Sequence, residues 1–238
     1  MLLRATLLLL SALAGAQEAQ ELAKIKARMA DKRPMTWVFT GDSITHGAVH
    51  TKGWRCFAEI FAEKVRAEMG RKRDLVVNTG ISGDTTAGFM PDIEWRLTRF
   101  KPDVAFVMFG MNDCVKGPDL ATYETNLRTI VAAVRREGGI PVLMMVNPAV
   151  PGSPREKVVA KLAAYMEAVE RVAKAEKVLV IDHFGDWRKK PGEIRRMMND
   201  DIHPNALGHQ EMALRIFGAL GFPPGGFTGK LSAPGQGR

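Results

Sequence analysis

Thr36-Trp37-Val38-Phe39-Thr40-Gly41-Asp42-Ser43-Ile44-Thr45 runs from an apolar β-type segment directly into a turn of small polar residues. Trp37, Val38 and Phe39 favour a strand, and Gly41 lets the backbone turn with no Cβ in the way. A segment this short, with no polar alternation, is what a parallel strand covered on both faces needs. Four further segments read the same way: Leu75–Asn78, Val104–Phe109, Pro141–Val146 and Val178–Ile181. Between and after them, helical spacing predicts helices over Trp54–Glu68, Met90–Phe100, Thr122–Arg136, Arg155–Ala175 and Ala206–Leu220, with Gly138-Gly139 closing the third. Such alternation predicts an α/β fold, a doubly wound three-layer α/β/α sandwich around a mainly parallel, five-stranded sheet. In such a sheet ligands sit beyond the carboxyl ends of the strands.

Away from this centre the chain changes character. Met1 to Arg4 is a short positive start, Leu7 to Leu13 is mostly apolar, and Ala14-Gly15-Ala16 has the small-residue pattern that signal peptidase accepts. Residues 1–16 therefore read as a signal peptide cleaved before Gln17, which predicts export to a periplasm or the exterior; the alternative is an uncleaved anchor. Residues 17–34 form a polar lead-in, 35–220 the folded domain, and 221–238 a flexible tail rich in Pro and Gly. After the first residues no apolar run is long enough to span a bilayer, so no stable membrane insertion follows cleavage. The net charge of +8 comes from dispersed clusters, Arg71-Lys72-Arg73, Arg188-Lys189-Lys190 and Arg195-Arg196, without interleaved aromatics. That pattern argues against nucleic acid as a partner and leaves attraction to anionic polymers or head groups as a matter of encounter. Two cysteines, Cys56 and Cys114, provide neither a disulfide framework nor a four-ligand zinc spacing, and no metal or organic cofactor is expected.

Residues fit for chemistry fall at the predicted strand ends. Ser43, just after the first strand, is a candidate nucleophile whose neighbouring backbone N–H groups can face negative charge. After the second strand comes Thr79-Gly80-Ile81-Ser82-Gly83-Asp84, whose glycines allow an N–H to approach a bound oxygen; taken alone it reads as a turn with Asp84 as a cap. After the third, Gly110-Met111-Asn112-Asp113 offers an amide donor in Asn112. Near the carboxyl terminus, Asn199-Asp200-Asp201-Ile202-His203-Pro204 puts a candidate base, His203, three residues after a carboxylate able to orient it. Each signal is weak alone. Together and in this order they specify nucleophile, oxyanion donors, orienter and base.

Gly41-Asp42-Ser43-Ile44, Asn78 through Asp84, Gly110-x-Asn112-Asp113 and Asp200-x-x-His203-Pro204 make the chain resemble the SGNH hydrolases, the GDSL esterase/lipase superfamily, over most of its length. Gly80 through Thr86, with Trp95-Arg96-Leu97, is further similar to the platelet-activating-factor acetylhydrolase branch and its bacterial acetylesterase relatives. The resemblance implies a flavodoxin-like sandwich, a triad of Ser43, Asp200 and His203, and an oxyanion hole of the Ser43 and Gly83 N–H groups with the Asn112 amide. It implies a serine esterase cleaving oxygen esters, with export and a compact chain favouring short, acetyl-type acyl groups on a carbohydrate or other small ester. The runner-up substrate is a longer acyl chain, as in a lysophospholipase or thioesterase; a flavodoxin-like or carbohydrate-binding protein without catalysis is the rival class. Many members carry Gly after the triad Asp, and here Asp201 stands there, so two carboxylates compete for the ring, with the spacing favouring Asp200. The resemblance also sets the first and third strands side by side, so Cys56 and Cys114 either pair or remain separate thiols. His46 is a candidate substrate contact or an ordinary polar loop residue.

Overall fold

The computed structural model describes residues 19–226. The signal segment 1–16 and residues 227–238 of the tail lie outside the described residues. Residues 19–30 are helical, within the lead-in. The strands are β1 (Thr36–Gly41), β2 (Leu75–Asn78), β3 (Val104–Met108), β4 (Ile140–Met145) and β5 (Leu179–Asp182). They form one sheet in the order β2-β1-β3-β4-β5, parallel throughout. The α/β sandwich expected from the sequence is the fold, and strand ends differ from expectation by no more than one residue.

From β1 the chain crosses to β2 at one edge, then returns past β1 to lay down β3, β4 and β5 in the opposite direction. Right-handed crossovers therefore put helices on both faces. Leu120–Arg136 packs on Leu162–Glu176, and Phe57–Glu63 packs on Ala206–Leu220. Trp37 and Phe39, two residues apart, project from the same side of β1. Phe39 pairs in register with Phe106 of β3, and their rings stack at 4.3 Å. Phe57 and Phe61 meet the Phe39 ring edge-on at 5.7 and 5.1 Å. All five of these aromatic side chains are buried completely, and removing one such ring from a core costs about 3–5 kcal/mol. This cluster holds β1 and β3 together, and the crevice opens between their carboxyl ends.

The helices depart from the periodic reading where side chains are diverted to the crevice. The first expected helix, Trp54–Glu68, begins only at Phe57: Cys56 is the N-cap and its N–H donates to Glu59 Oε2 at 2.7 Å, while Lys64–Glu68 winds as a π-turn. The second, Met90–Phe100, is broken into 3₁₀ Met90–Asp92, α Ile93–Arg96 and 3₁₀ Thr98–Phe100, preceded by α Thr86–Phe89. Pro91 interrupts the hydrogen-bond ladder, and Arg96 leaves the helical pattern to bury its guanidinium. The third starts at Leu120, where Asp119 accepts from Thr122 N–H at 2.8 Å, and closes with Gly139 N–H on Val134 O at 2.9 Å. The expected Arg155–Ala175 helix is two, Pro154–Val158 and Leu162–Glu176. Ala206–Leu220 is found at the expected bounds.

Candidate active site

Strand order reverses between β1 and β3, the switch point at which a doubly wound sheet opens a crevice. Gly41 ends β1 so close to β3 that a Cβ there would stand 2.3 Å from the Met108 carbonyl oxygen; any side chain would force the strands apart just below the crevice. Asp42 then accepts from Ile44 N–H at 2.9 Å and turns the chain into the short helix Ser43–His46. Ser43 is the first residue of that helix, so its N–H has no acceptor within the helix. Its Oγ lies 2.9 Å from His203 Nε2.

His203 arrives on the segment Met198–Pro204, whose ends pair through an antiparallel bridge, with Asn199 N–H donating to His203 O at 2.8 Å. Inside this loop Asp200 Oδ1 accepts the N–H groups of Ile202 and His203 at 2.8 and 2.7 Å, and Oδ2 sits 2.7 Å from His203 Nδ1. Partial burial pushes the Asp200 carboxyl upward. The N–H bonds from Ile202 and His203 and the ring of His203 outweigh that and hold it below its ordinary value. Asp201 faces away, onto Arg195 at 3.0 Å, so the carboxylate at the ring is Asp200. From the end of β4 the buried Asn147 donates to Ile202 O at 3.0 Å, and Asp201 O accepts from Val150 N–H at 2.8 Å. The loop is thereby fastened to the sheet by its main chain.

The opposite wall is fastened by charge. Arg96 donates to Thr79 O at 3.1 and 3.0 Å and to Gly41 O at 3.3 Å, and pairs with Asp84. One guanidinium thus joins the loops after β1 and β2. Asp113, after β3, accepts from the Thr86 N–H at 2.8 Å and its hydroxyl at 2.7 Å, joining the third loop to the second. Asn112 directs its amide nitrogen toward Asp42 Oδ2 at 3.4 Å. Gly83 takes φ +82°, in the region an L side chain resists, and its missing Cβ would stand 3.6 Å from the Lys116 ammonium. Complete burial drives the Asp42 carboxyl up to about 7, against its hydrogen bond from Ile44 and with the charges of Asp113 and Asp84 adding to the rise. Burial raises Asp113 as well.

Sequence reasoning missed His50. Its ring stacks on that of His203 with centroids 3.7 Å apart and planes 4° from parallel. Its Nδ1 lies 3.2 Å from Asn199 Nδ2 and 3.5 Å from Asp200 Oδ2; with the amide as donor, Nδ1 is the acceptor and the ring is neutral. Burial, then the charge of His203, lowers the pKa of His50, which agrees. His50, Asp200 and His203 present donor atoms within 4.8 Å of one another. Parallel rings 3.7 Å apart cannot both aim a lone pair at one ion, so the trio is poorly shaped as a metal cage. His46, the other loop histidine, bonds Ser82 Oγ at 3.0 Å beside Gly83. Cys56 and Cys114 are separate buried thiols, pushed by burial up to about 11 and about 12.

Comparison with known proteins gives a consistent result. A profile described as the GDSL-like Lipase/Acylhydrolase family matches residues 39–211. The chain is 31% identical over 186 residues to Esterase TesA of Pseudomonas aeruginosa, a match covering 75% of this chain and 84% of that protein. It is 25% identical over 211 residues to an acetylxylan esterase of Geobacillus stearothermophilus, covering 78% and 93%. A third match, 24% identical over 192 residues, is to an uncharacterized Mycoplasma pneumoniae protein; it covers 79% of this chain but only 22% of that larger protein. Among solved structures, an acetyl-xylooligosaccharide esterase from Geobacillus superposes with a TM-score of 0.68 at 22% identity, covering 81% of this chain and 97% of that one.

Proposed function

The chain belongs to the GDSL-like lipase/acylhydrolase family of ester hydrolases, and on that premise we propose that Ser43, His203 and Asp200 are its catalytic triad and that it removes short acyl groups, acetyl above all, from a carbohydrate. The observation that supports this most is the continuous hydrogen-bond series from Ser43 Oγ to His203 Nε2 at 2.9 Å and from His203 Nδ1 to Asp200 at 2.7 Å. In this reading Nδ1 carries a proton that it donates to Asp200, which leaves the Nε2 lone pair to accept the Ser43 proton as Oγ bonds the ester carbonyl carbon. The negative charge that develops on the carbonyl oxygen meets the Ser43 and Gly83 N–H groups and the Asn112 amide. His203 returns the proton to the departing alkoxide, and a water deprotonated by the same ring then releases the acyl group from Ser43. Asp200 and the neutral ring of His50 keep His203 aimed throughout.

The carbohydrate reading draws support from the acetylxylan esterase relative, and export from the leader-like residues 1–16. The test is a panel of p-nitrophenyl esters from acetate to palmitate, run on wild type and Ser43→Ala. We expect cleavage of the short esters, reduced by Ser43→Ala on the order of 10³-fold or more. Equal rates for the two proteins would remove the triad; a preference for the long esters would replace the short-acyl reading with a lipase-like one.

A further inference from the structure

Next to His50 the surface forms an open hollow of about 440 Å³, within the range of small-ligand sites. His50 and Asn199 form one wall, with Lys52, Trp54 and Arg196 around it. Neither Ser43, Gly83 nor Asn112 lines it, so the cavity is distinct from the space beside the oxyanion donors. It is coupled to the base, because His50 touches both: the ring that borders the cavity is the ring stacked on His203. His203 is the group that would protonate the departing alkoxide, which makes a hollow bordered by the residue stacked on it a candidate for the alcohol side of the bond to be cut.

The chemistry of the walls restricts the occupant. No acidic side chain lines the cavity. Arg195 nearby is engaged by Asp201 at 3.0 Å, but among the described residues Lys52 and Arg196 pair with no carboxylate. Two unneutralised cations facing one hollow favour an anion. Trp54 is 56% exposed, an indole with a free face able to lie against the apolar face of a sugar ring. The loop that presents these groups is strained: Val49 and Lys52 take φ +67° and +54°, unfavourable for any L residue and most of all for a β-branched one, and such strain is concentrated where function requires it.

We propose that this cavity is the alcohol-side subsite of the esterase and that it takes a sugar bearing a carboxylate, making the substrate an acidic O-acylated glycan. The inference rests on the reading of the protein as a carbohydrate esterase and narrows it. Lys52 and Arg196 would hold the carboxylate and Trp54 the ring, and binding energy gained there would be available at the ester through the covalently continuous substrate.

The test compares the full-length protein on O-acetylated oligogalacturonides and O-acetylated xylo-oligosaccharides, with p-nitrophenyl acetate as a third substrate, at low and high salt. Wild type should favour the acidic glycan in kcat/KM by about tenfold at low salt, with the preference shrinking as salt screens it. The double variant Lys52→Glu/Arg196→Glu should invert the ratio of acidic to neutral rates, a reversal that misfolding cannot produce. Equal turnover of both glycans by wild type, or a ratio untouched by the double variant, overturns the subsite alone. Failure on both glycans with p-nitrophenyl acetate still cleaved overturns the carbohydrate reading and the subsite with it. Competition by phosphatidylglycerol micelles but not by oligogalacturonide would assign the cavity to a lipid head group and also overturn the proposal.

Discussion

The loops after β1, β2 and β3 are tied to one another by buried charge, whereas the loop carrying Asp200 and His203 is tied mainly through its backbone and stands nearer to water. On the first wall the Arg96 and Asp84 side chains are 4% and 12% exposed; on the second, His203 and Asp200 are 17% and 43% exposed. The difference follows the work each wall is proposed to do. Donors that hold an oxyanion gain most when they need no reorganisation during the reaction, which a rigid, dry setting secures. A base that takes and returns a proton has to tolerate a change of charge, and that is easier beside solvent. Rigidity of the first kind is brittle, because removing one partner strands the other.

The most severe way to break the contrast is Arg96→Met. The variant keeps the apolar stem but leaves Asp84 without its cation and the Thr79 carbonyl without its donors, while Gly41 O retains the Ile81 N–H at 3.0 Å. Stranding one member of a buried pair costs about 3–5 kcal/mol, so we expect melting to fall by about 10 °C and esterase activity to fall with it. A melting temperature within about 2 °C of wild type would show that the first wall is not held by this guanidinium.

The two walls should also answer pH with opposite signs. Asp42 has a folded-state pKa of about 7 against an ordinary 3.8. Between those values the native state retains a proton that the unfolded chain has released, so stability is fully present below the lower value and declines as pH rises toward 7. Asp200 is lowered, so its contribution is present above 3.8 and is lost as pH falls through its folded-state value. Denaturant unfolding of wild type and Asp42→Asn at about pH 5 and about pH 8 isolates the first effect, because His183 and His209, both held near 3 by burial, titrate alike in the two proteins. One pKa unit carries about 1.4 kcal/mol; allowing for relaxation around the buried group, the variant should gain roughly 1–2 kcal/mol on wild type between the two conditions. A difference that does not change with pH would refute the assignment.

The same contrast explains what could be read in the sequence. β1, β3 and β4 were legible because both faces of the sheet's centre are covered, so each appears as an uninterrupted apolar run such as Val104–Met108, whereas β2, exposed at Leu75, showed only a short β-branched run. Ser43 and Asn112 could be picked out because each follows a strand, Gly83 only through the family resemblance, and Asp200 and His203 because they share one local turn. The approach of Ser43 to His203, 160 residues apart, had no local signal and rested on motif order. Arg96 stood in the sequence only as part of a resemblance, and its buried role was hidden because it lies in what periodicity presents as a continuous helix; Pro91 was the visible warning. Asn147 had the same signal as Asn112, an amide just beyond a strand, and was overlooked because it belongs to no motif.

His50 had no signal at all, and it gives the mildest prediction. It sits in a polar loop whose backbone enters the left-handed region at Val49 and Lys52, and its ring lies over that of His203. Aromatic contacts of this type contribute about 0.5–1.5 kcal/mol, so His50→Ala should lower kcat about fivefold with little effect on KM for p-nitrophenyl acetate. If the flat face is what positions the base, His50→Phe should restore most of the rate. If the Asn199 bond matters more, His50→Phe, which has no Nδ1 to accept it, should stay as slow as His50→Ala, whereas His50→Lys should be slower than both and should shift the acid limb of the pH–rate profile to lower pH. A fixed cation over His203 opposes formation of the imidazolium and so lowers the pKa of the base. Equal kcat and superimposable pH profiles for all four proteins would show that the second wall positions His203 through Asp200 and the backbone alone.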